Sequence, residues 1–287
     1  MERWAPDLVV MVVDNASSDD TMEKIRRFHN VCSIGNKANR GFAAAVNQGV
    51  GLASNADLIL ILNPDVELST SLDALTDACR THGMAAGQLT DVEGRPQAGF
   101  TIRRLPTATA LIFELLGLNR LWRSNPVNRR YRCLDRDLEK PGLAEQPAGA
   151  FLMIRRDVWE RLGGLDEAFY PVWFEDVDFC RRAIDSGVRI EYVPSVKARH
   201  RGGHSVAALS ARCRAVYWCD SLLRYAAKHF RAVQYRGVCL AVLLSSVPRG
   251  LAGTIGERNL ELLNVSMRIA RAAARRLLSR QAAGRGD

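Results

Sequence analysis

The chain has 287 residues, of which 47% are hydrophobic and 25% charged, with 40 Lys/Arg against 31 Asp/Glu for a formal charge of +9. That length builds one sizeable core, or one core with an appendage, and the composition excludes a disordered chain. No apolar run reaches the roughly 18 to 20 residues that span a bilayer, and Met1 to Asp7 lacks the pattern of a secretory signal, so a cytoplasmic protein is expected.

Leu8 to Val13 is a continuous, β-branched apolar run, the pattern of a strand buried on both faces. A polar turn from Asp14 to Asp19 follows, and Met22, Ile25 and Phe28 give helical spacing over Thr21 to His29. Val31 to Ile34 reads as a second strand. Asn39-Arg40-Gly41 turns into a helix over Phe42 to Ala53. Asp57 to Leu62 is another fully apolar strand, closed by Asn63-Pro64-Asp65. This alternation predicts an α/β fold with a mixed, mostly parallel, Rossmann-like sheet flanked by helices. Ligands of such sheets sit beyond the carboxyl ends of the strands, where Asp14 and Asp65 project.

Thr101 to Pro147 holds four prolines and a basic segment, Asn128 to Arg132, and reads as an excursion with one helix, Ala108 to Leu116. Gly149 to Arg155 returns as a strand, Asp157 to Leu162 is a short helix stopped by Gly163-Gly164, and Glu175 to Ser186 is an amphipathic helix. Arg189 to Val193 is the last predicted strand, and the pattern beyond Val206 is helical. The predicted organisation is an α/β domain over 1–206 and a basic helical extension over 207–287. From Arg199 onward the chain carries 16 Lys/Arg against 4 Asp/Glu, a balance of +12, whereas residues 1–198 carry 24 against 27. Interleaved apolar residues such as Val238, Leu240 and Leu244 favour an anionic membrane surface over nucleic acid as a partner. A solvated helical cap on the first domain is the alternative. The seven cysteines are scattered without a C-x-x-C, so neither a disulfide framework nor a zinc site follows.

Three clusters are candidates for chemistry. Pro64 stops a buried strand and leaves Asp65 at the sheet's rim, where a carboxylate could hold a Mg²⁺ or Mn²⁺ against a diphosphate; it could also merely end the strand. Glu175, Asp176 and Asp178 crowd a helix start beside Tyr170 and Trp173. Capping and the helix dipole account for acids there, while a partly apolar surround would raise a carboxyl towards a useful general base. His200 and His204 lie in a Gly-containing turn, as surface residues or as ligands for phosphate or metal. No G-x-G-x-x-G, Walker, G-x-S-x-G or H-E-x-x-H sequence occurs, which weakens dehydrogenase, NTPase, hydrolase and metalloprotease readings.

Taken in order, the segments Val12 to Asp19, Asn39 to Ala43, Leu60 to Val66, Gly149 to Phe151, Gly163 to Glu167, Phe174 to Asp178 and His200 to Gly203 with Ser205 resemble the family 2 glycosyltransferases, particularly the rhamnosyltransferase-like branch. The resemblance implies a GT-A fold and an inverting transfer of a sugar, rhamnose first, from dTDP-rhamnose or a UDP-sugar to a cell-envelope glycan or lipid-linked acceptor. It implies that Asp14 contacts the donor nucleoside and that Asn39 and Arg40 hold the nucleotide. Asp65 fills the metal position of the family's D-x-D motif, with Asn63 in place of its first Asp, and His200 is a second metal or diphosphate ligand. Asp176 is the implied general base, with Glu175 and Trp173 lining the acceptor side. Family members place a further strand and helix before the strand equivalent to Leu8 to Val13. Only seven residues stand there in this chain. The expectation is an unfilled sheet position beside Val10 and Val12, poor donor affinity, and either an upstream start or a truncated remnant that only binds.

Overall fold

A computed structural model describes residues 8–53, 55–202, 209–257 and 261–278. Met1 to Asp7, Gly203, His204 and Ser205 lie outside the described residues. The elements β1 (Val10–Asp14), α1 (Thr21–Ile25), β2 (Val31–Gly35), α2 (Phe42–Leu52) and β3 (Leu58–Leu62) follow the predicted order. Next come β4 (Val66–Leu68), α3 (Asp73–His82), β5 (Gly83–Thr90) and β6 (Ile102–Arg103).

The excursion holds three helices rather than one: α4 (Ala108–Leu115), α5 (Leu118–Leu121) and α6 (Pro126–Tyr131), then the short strands β7 (Gly142–Leu143) and β8 (Gln146–Pro147). Local chemistry explains them. The Thr107 side chain caps α4 by accepting from the Ala110 N–H, left-handed Gly117 (φ +73°) breaks the helix before α5, and Asn125 accepts from the Asn128 N–H at the start of α6. The chain continues through β9 (Phe151–Arg155), α7 (Arg156–Leu162), α8 (Glu175–Asp185) and β10 (Arg189–His200) to α9 (Ala211–His229), α10 (Ala232–Glu257) and α11 (Glu261–Leu278). These fall into two compact units, one of Met1–Leu105 with Arg132–His204, the other of Pro106–Tyr131 with Ser205–Asp287.

In the first unit the main sheet runs β3-β9-β5-β10-β4, with β7 also on β10. The expected mostly parallel pairing is corrected: only β5 and β10 are parallel neighbours, and the β3–β9, β9–β5, β10–β4 and β10–β7 pairs are antiparallel. β3, β5 and β10 do share one direction. β9 inserts between β3 and β5 and reverses both contacts, a placement no local pattern encodes. β1 and β2 form a separate parallel pair, and among the described residues no strand pairs with the second edge of β1 or of β3.

Side-chain alternation gives the main sheet two cores. Ile59, Ile61, Leu152, Ile154, Met84 and Ile190 face α2, α7 and α8, and Phe151, Met153, Ala85 and Leu89 face α3 through Leu75 and Cys79. Burial on both faces is the reason these strands read as continuous apolar runs.

β10 corrects the expected end at Val193. It passes through Pro194 and runs to His200, with a register shift between Val193 and Lys197 against β5. An uninterrupted strand would put His200 on the Ile190 face. The bulge flips the alternation, so that Val196 and Ala198 join the α3-side core and His200 follows them. His200 is therefore the last residue of a strand, not part of a loop. All seven cysteines are free.

Candidate active site

Asp65 and His200 meet across β4 and β10. Val66 pairs with His200 in register, and the Arg201 N–H donates to the Asp65 carbonyl at 3.1 Å. This brings His200 Nε2 to 3.6 Å from Asp65 Oδ2, with both side chains largely buried. Gln97 grips the histidine twice: its Nε2 donates to the His200 carbonyl at 2.9 Å, and its Oε1 faces Nδ1 at 3.0 Å. The first bond orients the amide, so Oε1 must accept the Nδ1 proton and Nε2 keeps its lone pair towards Asp65. Phe100 stacks on the imidazole at 5.0 Å and 8°. Burial lowers the His200 pKa, against the opposing pull of Asp65. The Asp65 carboxylate suits Mg²⁺ or Mn²⁺, and a neutral imidazole beside it favours Mn²⁺, the softer of the two. Among the described residues no group of three or more His, Cys, Asp or Glu converges, so other positions on a cation here would fall to substrate oxygens or water.

Asp176 stands at the start of α8, where Gly149 N donates to Oδ2 at 3.0 Å and Val177 N to Oδ1 at 2.8 Å. A Cβ on Gly149 would lie 2.9 Å from the Asp176 Cβ, so only glycine permits this approach. Burial pushes the Asp176 carboxyl up, opposed by the two N–H donors and the positive charge of Arg103. Arg103 lies 5.8 Å from the Phe100 ring that covers His200. The next residue, Ala150, accepts from the Asn63 N–H at 3.0 Å. The Asn63-Pro64-Asp65 turn and the start of α8 are thus both fastened to the Gly149–Ala150 segment.

The three acids of α8 have separate settings. Asp178 is fully buried and bonds Arg182 at 2.8 Å, while the same guanidinium donates to the Leu162 and Gly164 carbonyls; this acid serves the fold. Glu175 is buried, its Oε2 lacks a hydrogen-bond partner among the described residues, and desolvation followed by the Asp176 charge holds its pKa well above the usual range. Trp173 and Phe174 precede it at φ +78° and +70°, a left-handed pair that L residues rarely adopt.

Asp14 is buried at the end of β1 and accepts weakly from the Ser17 N–H at 3.3 Å. Its neighbour Asn15 joins this turn to the exposed Asn39 and Arg40: its Nδ2 donates to Asn39 Oδ1 and the Gly41 carbonyl, and its Oδ1 accepts from Arg40 N and Asn36 Nδ2. Gly41, at φ +86°, would put a Cβ 2.9 Å from Tyr170. Phe42 N donates to the Pro171 carbonyl at 2.8 Å, so this turn packs against the segment leading to Trp173 and Asp176.

Residues 2–163 match the family described as "Glycosyl transferase family 2". The chain belongs to that family. It is 30% identical over 214 residues to N-acetylglucosaminyl-diphospho-decaprenol L-rhamnosyltransferase of Mycobacterium tuberculosis, covering 68% of this chain and 67% of that one. It is 25% identical over 171 residues to Rhamnosyltransferase WbbL of Escherichia coli, covering 58% and 60%. Among solved structures, GalNAc-T7 with UDP, GalNAc and Mn²⁺ aligns at a TM-score of 0.49 and 16% identity, covering 68% of this chain and 38% of that one.

For a family 2 glycosyltransferase chain, the residues that sequence reasoning left without a role are Asn15, Gln97, Phe100 and Arg103. Asn15 stood inside a quoted motif; an amide in a turn signals hydrogen bonding but not its partner. Gln97, Phe100 and Arg103 lie in a stretch with no motif of its own, and only the fold brings them to His200 and Asp176.

Proposed function

We propose that the chain is an inverting hexosyltransferase that moves a sugar, rhamnose first, from dTDP-rhamnose or a UDP-sugar to a glycan or lipid-linked acceptor of the cell envelope. The observation that carries this reading is the Asp176 carboxyl, raised by burial, fixed by the Gly149 N–H, and fastened through Ala150 and Asn63 to the turn bearing Asp65. In the reaction the acceptor hydroxyl oxygen bonds to the anomeric carbon as the bond to the diphosphate oxygen breaks. Asp176 takes the hydroxyl proton, and the nucleoside diphosphate departs from the opposite face, which inverts the centre. A divalent cation, Mg²⁺ or Mn²⁺, held by Asp65 and His200 would supply charge neutralisation of the leaving diphosphate. Asp14, Asn39 and Arg40 hold the nucleotide, and Trp173 and Glu175 line the acceptor side.

In this reading residues 1–206 carry the chemistry, and the basic helices of 207–287 dock on the anionic inner face of the plasma membrane. Among the described residues no helix is long and apolar enough to cross a membrane. The test is Asp176→Asn, with transfer and nucleotide-sugar binding measured on the same protein. The expected loss in kcat is roughly 10²- to 10⁴-fold with donor binding retained, and an unchanged kcat overturns the assignment of the base. The acid limb of the parent's kcat/KM profile should fall above the value of a free aspartate, because the base must be ionised and burial raises its pKa.

A further inference from the structure

Within the second unit a groove of about 370 Å³ runs between α9 and α11. Arg268, Arg271, Arg275 and Arg276 of α11 border it, opposite Asp220 of α9. The spacing of the first three, three and then four residues, puts them on one side of the helix. Arg276 is already committed: its guanidinium bonds Asp220 at 2.6 Å, and Arg224 shares that carboxylate at 3.7 Å. Among the described residues Asp220 is the one acid bordering the groove, and no ion pair forms at Arg268, Arg271 or Arg275. Like charges at this spacing repel by roughly 0.2–0.5 kcal/mol per pair, so the arrangement is stabilised when an anion enters.

A basic helix face is often simply solvated. Here the arginines border a concavity whose lining also includes Leu223 and Ile269. Cations above an apolar floor match an anion attached to a hydrocarbon chain better than a free one. The planar guanidinium fork suits phosphate oxygens. Among the described residues no aromatic side chain borders the groove, so they offer no stacking platform of the kind that single-stranded nucleic acid uses.

We propose that the α9–α11 groove is an anion site that takes the phosphate of a membrane-lipid headgroup. This deepens the docking reading above and rests on it: it turns a diffuse basic tail into a site with named contacts, Arg271 and Arg275 at its centre.

The experiment is flotation of the full chain with neutral phosphatidylcholine vesicles and with vesicles containing phosphatidylglycerol, alongside titration with inorganic pyrophosphate. Arg271 and Arg275 are exposed, so the double variant Arg271→Ala/Arg275→Ala should keep the parent's thermal transition. It should bind anionic vesicles roughly thirty-fold more weakly, at about 1 kcal/mol per arginine. The charge-matched control Arg231→Ala/Arg236→Ala, at exposed positions of the same unit, should lose no more than about three-fold. Equal losses in the two variants, or no loss in the first, overturn the groove. Pyrophosphate binding that is lost in the first variant while its vesicle binding is unchanged overturns the lipid assignment. A parent that ignores anionic vesicles sinks the docking reading itself, and with it this proposal.

Discussion

The Asp14 and Asp65 turns both cap the carboxyl end of a strand, yet they are held by different means. Asp65 is set by a strand ladder: β4 pairs with β10, a backbone bond fixes Arg201 to Asp65, and a bulge turns His200 towards it. Asp14 belongs to a two-stranded pair outside the main sheet, and its turn meets Asn39 and Gly41 through the side chain of Asn15. The proposed cation side is therefore built on buried backbone and the proposed nucleotide side on half-exposed amides. Rigid placement suits a centre whose ligands must stand at fixed distances, and amide-linked turns can adjust to a base and ribose.

Removing a proposed ligand from the rigid side should have the largest effect. Asp65→Ala is expected to weaken Mn²⁺ binding by more than roughly 100-fold, since loss of a ligand exceeds loss of an outer partner; calorimetric titration of Mn²⁺ into the purified chain measures it. An unchanged affinity would remove Asp65 from the cation site and the contrast with it.

Gln97 offers a sharper test because it touches no substrate in this scheme. Gln97→Leu should cost roughly ten- to one-hundred-fold in the same titration, while Gln97→Glu, which keeps an acceptor for Nδ1, should recover most of it. Equal losses in both would mean that Gln97 serves packing rather than the histidine's orientation.

On the amide-linked side, Asn15→Ala removes four hydrogen bonds and frees the Asn39–Gly41 turn. Donor-nucleotide affinity is expected to fall roughly ten-fold, for a loss of about 1–2 kcal/mol, with Mn²⁺ affinity unchanged. A matching loss of Mn²⁺ affinity would show that the two sides are one cooperative structure.

The smallest effect concerns Glu175. Its folded-state pKa is raised, so the native state holds a proton that the unfolded chain has released. Stability then falls as pH rises from the ordinary glutamate range through the raised value. Glu175→Gln removes that dependence. Its melting temperature should match the parent's in acid and exceed it by a few degrees near neutrality. A gap that does not grow with pH refutes the buried, protonated acid.

Much of this layout was legible in the sequence. The apolar run at Asp57 became β3, packed on both faces as its pattern implied, and helical spacing located α8. The run at Leu8 became β1, but with Leu8 and Val9 exposed and Val10 to Val13 only half-buried, because it lies in a two-stranded pair outside the main sheet. Pro64 announced the rim at Asp65, and Gly149 stood in a quoted motif. The helix at Ala108 was legible, but α5 and α6 were missed although their signals, Gly117 and Asn125, are local; the prolines there read as irregularity. The three acids of α8 looked alike in sequence. Their settings separated only once Arg182 reached Asp178, Gly149 approached Asp176, and Glu175 was buried.

By itself, the sequence determined the order of elements, the acids and amides that end the strands, and the family to which the chain belongs, since these depend on periodicity, turn chemistry and motif order. Tertiary structure alone decided that β9 inserts between β3 and β5, that β10 bulges and re-aims His200, and that Gln97 selects which imidazole nitrogen stays free. The physical reason is range. Local patterns record which faces must be dry and where the chain turns, whereas pairing, register and the partner of a buried polar atom are settled between residues about a hundred positions apart.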